Sequence, residues 1–235
     1  MRTSPGLPHV VETIVCIAAI AALMPVLALI AALIRISSPG PVLFRHERIG
    51  RNGQVFRLVK FRTMRHGGRG PAVTASGDAR ITPLGRLLRK TKLDELPELW
   101  NVVRGDMSLV GPRPEAVDYA RPSAADWHEV LTVRPGITDP VTLRLRNEEE
   151  LLAAARPDAE TFYRSYLLPY KLNGYREYLA SRTWRRDLGV LCQTMVAIAM
   201  PRRVPAPSPE QIIRLVASAP AGSDSTLVPS AGRQE

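Results

Sequence analysis

Leu93–Glu115 reads LDELPELWNVVRGDMSLVGPRPE, and the order of residues in it decides how the rest of the chain is understood. Two adjacent carboxylates, Asp94 and Glu95, stand before Pro97 and a short apolar run, and a Gly-Pro-Arg-Pro turn, Gly111 to Pro114, follows. Proline damages a helix interior but suits the first helical position, so Pro97 predicts a helix through Leu99, Trp100 and Val103. Asp94 and Glu95 then lie just outside its N-terminus, where free backbone N–H groups favour ionised carboxylates and a docked phosphate. The spacing fits a capping box equally well, Thr91-x-x-Asp94, with Asp94 no more than a cap. An acidic pair beside arginines fixed in a turn is one way to bring together a nucleophile, a metal and a phosphate.

Around this stretch, composition sets the bounds. The 235 residues suffice for one sizeable domain with appendages. Lys and Arg number 32 against 22 Asp and Glu, a net charge of +10 and a pI near 10.3. Such an excess attracts anionic partners, whether lipid head groups, nucleic acid or phosphorylated small molecules. Cys16 and Cys192 lie far apart in apolar surroundings, match no metal or disulfide spacing, and read as packing residues of a reducing compartment.

Ile14 to Ile34 holds no charged residue and is mostly Ala, Leu, Ile and Val, whereas about 20 such residues are enough to cross a bilayer as a helix. Arg35, Arg45 and Arg48 follow it, while only Arg2 and the terminal amine precede it at full charge. The positive-inside rule therefore puts everything after residue 35 in the cytoplasm. A cleaved signal peptide is the competing reading. The run exceeds the usual ~7–15 residues, and no small-x-small cleavage site ends it. Pro25, near mid-run, removes one backbone hydrogen bond, so a kink is expected, as spanning helices commonly tolerate. A sharper break would return the chain to the leaflet it entered. Hydropathy by itself favours a simple span.

After the apolar run, VLFRHERI and QVFRLVKFRTM flank Gly50-Arg51-Asn52-Gly53, and Asn-Gly between such runs predicts a β-hairpin. In the second run Val55, Val59 and Phe61 share a face opposite Lys60 and Arg62, although Phe56 and Leu58 fall with the basic residues. Gly67 to Asp78 reads as a loop. Thr82-Pro83 opens a short helix with Leu84, Leu87 and Leu88 set against Arg86, Arg89 and Lys90. That helix suits a membrane interface or the surface of a soluble core. Arg134-Pro135-Gly136 marks a turn, and Arg144 and Arg146 form a short basic segment. Glu148–Ala155 and Asp158–Ala180 are helical by pattern, with Tyr163, Tyr166, Leu167 and Tyr170 forming an aromatic stripe of the kind that packs a core. Arg186–Met200 reads as a last apolar helix, too short to span. Residues 201–235, rich in Pro, Ala and Ser, read as a disordered tail whose apolar residues cluster at Ile212, Ile213, Leu215 and Val216.

Taken together, Ser38–Met64 (SPGPVLFRHERIGRNGQVFRLVKFRTM), Ile81–Glu115 and Val133–Thr138 (VRPGIT) resemble the bacterial sugar transferases that load polyprenyl phosphate, the monotopic phosphoglycosyltransferases. The resemblance covers roughly residues 10–200, with the blocks in the family's order and spacing. It implies transfer of a sugar phosphate from a nucleotide diphosphate sugar, UDP-linked by family habit, to polyprenyl phosphate, with release of the nucleoside monophosphate and a requirement for Mg2+. It implies that Asp94 is the nucleophile, through a covalent phosphosugar intermediate, and that Glu95 assists at metal and phosphate, both carboxylates serving the metal. Lys60, Arg89 and Arg113 match the family's basic positions around the phosphates. The family's N-terminal segment is a re-entrant helix bent at a Ser-Pro pair, which shifts the expected topology from span to re-entrant, with Pro25 as the break.

Two departures are visible. The break here is Met24-Pro25. After VRPGIT many members read Gly-Trp/Leu-x-Gln-Val-x-Gly-Arg; this chain has Asp139-Pro140-Val141-Thr142-Leu143-Arg144-Leu145-Arg146, and without gaps Arg146 falls on the family's phosphate-meeting arginine.

The resulting expectation is a mainly helical α+β fold. Residues 1–37 form the re-entrant membrane helix, 38–200 a membrane-associated catalytic domain with a β-hairpin and interfacial amphipathic helices around the active site, and 201–235 the tail. The place of action is the cytoplasmic face of a bacterial inner membrane, with anionic lipid as a partner and homo-oligomerisation left open. The competing reading is a membrane-anchored scaffold that kept the fold and lost catalysis, which the intact dyad and basic set argue against. Nucleic acid is not expected as a partner, because no zinc finger, helix-turn-helix signature or basic-aromatic interleave accompanies the charge.

Overall fold

Asn52 and Gly53 adopt positive φ, 56° and 75°, and close the two β-like runs into a hairpin. Strand β1 (Leu43–Ile49) pairs antiparallel with β2 (Val55–Phe61) in a register running from Leu43 opposite Phe61 to Ile49 opposite Val55. In this computed structural model the described residues are 6–65, 67, 77–155, 158–200 and 207–218, so most of the loop expected over Gly67–Asp78 lies outside them. The uneven alternation of β2 has a packing cause. Leu58 is buried with Val102 and Met107, and Phe61 with Ile30, Ile34 and Leu88, so neighbours cover both faces of the strand's second half. Val55, which shares a face with buried Val59 and Phe61, is exposed at the hairpin's far end.

Helix α1 (His9–Ser37) is 29 residues long, with Pro25 inside it. It continues through that position, so the proline neither ends nor splits it. Buried positions Glu12, Cys16, Ile30 and Ile34 recur at helical spacing along one face. Cys16 packs with Leu58, Val102 and Met107; Ile30 and Ile34 pack with Phe61 and Leu88. Val10, Ile14, Ile17, Met24, Leu29, Leu33 and Ile36 point outward and are exposed. Both halves of α1 thus rest on the same globular body, with the opposite apolar face uncovered.

Thr82 caps helix α2 (Pro83–Thr91), accepting from Gly85 N–H at 2.9 Å, with Pro83 in the first turn as expected. Gly85 has to be glycine, because a Cβ there would lie 2.0 Å from the Thr63 carbonyl oxygen. That close approach seats α2 on the end of β2. Lys92, left-handed at φ 59°, turns the chain into a 3-10 turn, Leu93–Glu95, after which α3 (Glu98–Val103) begins. Buried Asn101 locks α3 to the hairpin: its side chain accepts from Val59 N–H at 3.0 Å and donates to the Arg57 carbonyl at 2.8 Å.

Two three-residue strands, β3 (Ser108–Val110) and β4 (Gly136–Thr138), pair in parallel. They bring the Gly-Pro-Arg-Pro turn beside Arg134-Pro135-Gly136, with Gly136 N–H bonded to the Pro112 carbonyl at 2.9 Å. The two backbones come so close at Gly111 and Gly136 that a Cβ on Gly136 would lie 2.1 Å from Gly111 N.

The remaining helices are α4 (Ala125–Val130), α5 (Pro140–Arg144), α6 (Glu148–Ala154), α7 (Ala159–Phe162), α8 (Leu168–Ala180), α9 (Trp184–Ala199) and α10 (Pro209–Ser218). All but α9 contribute to the largest core, around Trp127, Leu152, Leu167 and Tyr175, while Val190 of α9 packs with Val110, Tyr178 and Leu179. The aromatic stripe is core packing: Tyr163 and Leu167 are buried, and Tyr166 and Tyr170 pack against them. A π-helical turn, Tyr163–Leu167, joins α7 to α8 just before Pro169, whose missing N–H interrupts the regular bonding. Of 201–235, expected to be a disordered tail, only 207–218 are among the described residues, and α10 lies there. Ile212 of α10 is fully buried in the core. A helix forms in that Pro/Ala/Ser-rich stretch because its apolar cluster finds a tertiary partner.

Candidate active site

The body positions the dyad from three directions. Lys60 comes from β2, Arg113 from the turn after β3, and Asp94 and Glu95 from the 3-10 turn between α2 and α3. Glu95 Oε1 accepts from Lys60 Nζ at 3.1 Å and from Arg113 Nη2 at 2.5 Å. Arg113 is also tied down by its bond to the Ile137 carbonyl at 3.1 Å, so the β3–β4 pairing sets its position.

Glu98 is a third carboxylate that the sequence reading passed over. It is fully buried, and its Oε1 lies 3.1 Å from Lys60 Nζ and 3.9 Å from Arg113 Nη2. The Lys60 approach is an ion pair without hydrogen-bonding geometry, and neither Glu98 oxygen has a hydrogen-bond partner. The signal was present, since Glu98 stands three residues after Glu95, the spacing that puts side chains on one helical face. Lys60 and Arg113 therefore balance Glu95 and Glu98, leaving Asp94 as an added negative charge.

Asp94 is buried, and its Oδ1 has no hydrogen-bond partner. It does not cap α3, and Thr91 Oγ1 bonds back to the Leu87 and Leu88 carbonyls within α2, so the capping-box alternative fails. Burial, and then the negative charge of Glu95, push the Asp94 carboxyl above its ordinary range, against the pull of Lys60, Lys92 and Arg89. Glu95 moves the other way. Burial would raise it, but Arg113, Lys60 and Lys92 hold it well below the usual carboxylate range. Glu98 is raised by burial and by Glu95, against Lys60 and Arg113. Adjacent carboxylates whose pKa values are driven apart are the usual mark of divided chemical roles.

Arg89 and Arg146 are not bonded to the dyad. Arg89 donates from Nε to Thr63 Oγ1 at 2.9 Å and from Nη1 to Glu149 Oε1 at 2.5 Å. Arg146 follows α5, and its Nε and Nη1 are buried without a hydrogen-bond partner. The unusual Asp139-Pro140 forms the start of α5: Asp139 caps the helix by accepting from Val141 and Thr142 N–H at 2.7 and 3.0 Å.

The family pattern described as bacterial sugar transferase matches residues 6–201. The chain belongs to that family. This sugar transferase is accordingly a phosphoglycosyltransferase, and the dyad, Lys60 and Arg113 cluster within the matched region. The UDP-glucose:undecaprenyl-phosphate glucose-1-phosphate transferase of Caulobacter vibrioides is 43% identical over 203 residues, 84% of this chain and 72% of that protein. The exopolysaccharide production protein ExoY of Sinorhizobium fredii is 38% identical over 156 residues, 58% of this chain and 68% of the relative. A UDP-N-acetylgalactosamine-undecaprenyl-phosphate N-acetylgalactosaminephosphotransferase of Aeromonas hydrophila is 39% identical over 132 residues, 54% of this chain but only 31% of the relative.

Among the described residues no three His, Cys, Asp or Glu side chains are arranged to hold a metal ion by themselves. The hard oxygens of Asp94 and Glu95 still suit Mg2+, which is commonly held by one or two carboxylates together with substrate phosphates. The unpartnered Oδ1 of Asp94 is an oxygen donor open to such an ion.

Proposed function

We propose that this sugar transferase moves a sugar 1-phosphate from a UDP-sugar to undecaprenyl phosphate, releases UMP, and so initiates exopolysaccharide or capsule assembly. The observation that carries this reading is Asp94, a buried carboxylate with an unpartnered Oδ1 beside a charge-balanced cluster of Lys60, Arg113, Glu95 and Glu98. The named substrates of the relatives from Caulobacter and Aeromonas support the donor and acceptor classes.

The Asp94 carboxylate attacks the sugar-bearing phosphorus, and the phosphoanhydride bond breaks with its electron pair leaving on UMP. A phosphate oxygen of the lipid then attacks the phosphosugar-aspartate, and Asp94 departs as a carboxylate. Its raised pKa makes it the more basic of the dyad, hence the stronger nucleophile once ionised. Glu95, Lys60 and Arg113 hold their charges fixed before substrate arrives, which lowers reorganisation during the reaction. Asp94 and Glu95 would hold Mg2+, which supplies charge neutralisation to the diphosphate. Arg146, with buried nitrogens lacking acceptors, and Arg89 are the further phosphate ligands.

We place α1 in one leaflet at the cytoplasmic face, as a re-entrant helix. In support, Cys16 near one end and Ile34 near the other both pack on the same body. A straight span would have to strip one of those contacts. Pro25 already lacks an N–H, so a bend at that position sacrifices the fewest backbone bonds. Leu87 on α2 and Trp100 on α3, which flank the dyad in the chain, are exposed apolar side chains as well. With Cys16 and Cys192 replaced by alanine, a cysteine placed at residue 1 should react with an impermeant maleimide in inside-out vesicles and stay unlabelled in spheroplasts. Labelling in spheroplasts would make α1 a true span.

The function is tested by supplying UDP-glucose, UDP-galactose, UDP-N-acetylglucosamine and UDP-N-acetylgalactosamine with Mg2+ and undecaprenyl phosphate. Lipid-dependent UMP turnover with one donor identifies the sugar. Absence of turnover with all donors, including donors linked to other nucleotides, would favour the scaffold.

A further inference from the structure

The first turn of α6 carries two neighbouring carboxylates with opposite fates. Glu148 Oε1 accepts from Lys171 Nζ at 2.9 Å, and that buried lysine also bonds Glu115 at 3.1 Å. Glu149 instead reaches across to Arg89 Nη1 at 2.5 Å. Its side chain remains 42% exposed, whereas that of Arg89 is 20% exposed. Arg89 does not depend on Glu149 for its position, since Thr63 Oγ1 already holds its Nε at 2.9 Å and Thr63 is buried beside Gly85. The carboxylate is thus an exposed anion seated on a fixed cation at the edge of the site.

We propose that Glu149 is a resident competitor that occupies the phosphate seat on Arg89 and must be displaced when substrate phosphate binds. This rests on Arg89 being a phosphate ligand. A carboxylate pairs with a guanidinium as a phosphate does, so the two anions exclude each other. Glu149 thereby sets substrate affinity, weakening binding of any phosphate at Arg89 while leaving the chemistry at Asp94 alone. An ion pair this exposed has modest strength, so removing it sharpens binding by about two- to fivefold.

The test uses full-length protein in detergent with Mg2+, as wild type, Glu149→Gln, Arg89→Gln and the double variant. UDP binding is measured by calorimetry, and the KM for undecaprenyl phosphate by UMP release. The Glu149→Gln variant should bind one of the two phosphates about two- to fivefold more tightly, and the phosphate that responds identifies the occupant of the seat. The double variant should match Arg89→Gln alone, because Glu149 acts only through Arg89. If Arg89→Gln weakens binding but Glu149→Gln weakens it too or leaves it unchanged, Glu149 is a structural partner and the competitor role is refuted. If Arg89→Gln changes neither phosphate, Arg89 is not a phosphate ligand and the premise itself falls.

Discussion

Asp94→Asn should abolish turnover, by on the order of 10³-fold or more, while the protein stays folded and membrane-bound. The change is nearly isosteric, and it removes a carboxylate that, unlike Glu95 and Glu98, is in no ion pair with Lys60 or Arg113. Its effect on stability has the opposite sign. The Asp94 carboxyl is raised by burial and by Glu95. A carboxyl whose folded pKa lies above its unfolded value costs the fold stability at pH values above the unfolded pKa, neutral pH among them. Neutral asparagine relieves that cost, so thermal unfolding should occur at the same or a higher temperature. Activity of the parent enzyme should fall on acidification at a pH above that at which an ordinary aspartate is protonated. Scanning calorimetry and a pH–rate profile check both; a variant that unfolds earlier and keeps turnover would remove Asp94 from the chemistry.

Arg113→Met should be the most damaging change to the fold of the site. It leaves Glu95 and fully buried Glu98 to share Lys60 alone. Breaking a buried pair from one side costs about 3–5 kcal/mol, and the lower end applies because the Arg113 side chain retains 21% exposure. A loss of about 10²–10³-fold in kcat/KM should accompany it, the usual effect of removing a preorganised cation. The pH dependence follows from Glu95, whose carboxyl Arg113 holds well below its normal range. A depressed carboxyl stabilises the fold above its unfolded pKa, and that stability disappears as pH falls through the depressed value. The deficit of Arg113→Met should therefore be largest near neutrality and shrink on acidification. Adding Glu98→Gln should return part of the stability, but not the activity. A deficit independent of pH would mean that Arg113 packs the turn rather than neutralising the dyad.

Local chemistry was legible in the residues wherever it is carried by neighbours in the chain. Asn52-Gly53 announced the hairpin, Thr82-Pro83 the start of α2, and the Tyr163–Tyr170 stripe the core. Asp94 was the instructive case. Its spacing fitted a cap as well as a nucleophile, and only tertiary packing decides, by turning Thr91 back into α2 and burying Asp94 without a partner. Arg113 reaches Glu95 through the pairing of β3 with β4, strands of three residues each and too short for any periodic signal. The Arg89–Glu149 contact joins residues 60 positions apart and leaves no local trace. In the Pro/Ala/Ser-rich end, composition concealed α10, whose Ile212 gains its place only from the core that receives it.

The covalent step can be caught directly. Purified enzyme with Mg2+ and its UDP-sugar, labelled in the sugar phosphate and given no lipid acceptor, should release one equivalent of UMP and then stop. The label should remain on the peptide containing Asp94 and pass to product when undecaprenyl phosphate is added. UMP release that begins only with the lipid present, with no label on the protein at any time, would contradict a phosphosugar-aspartate and require direct transfer between substrates.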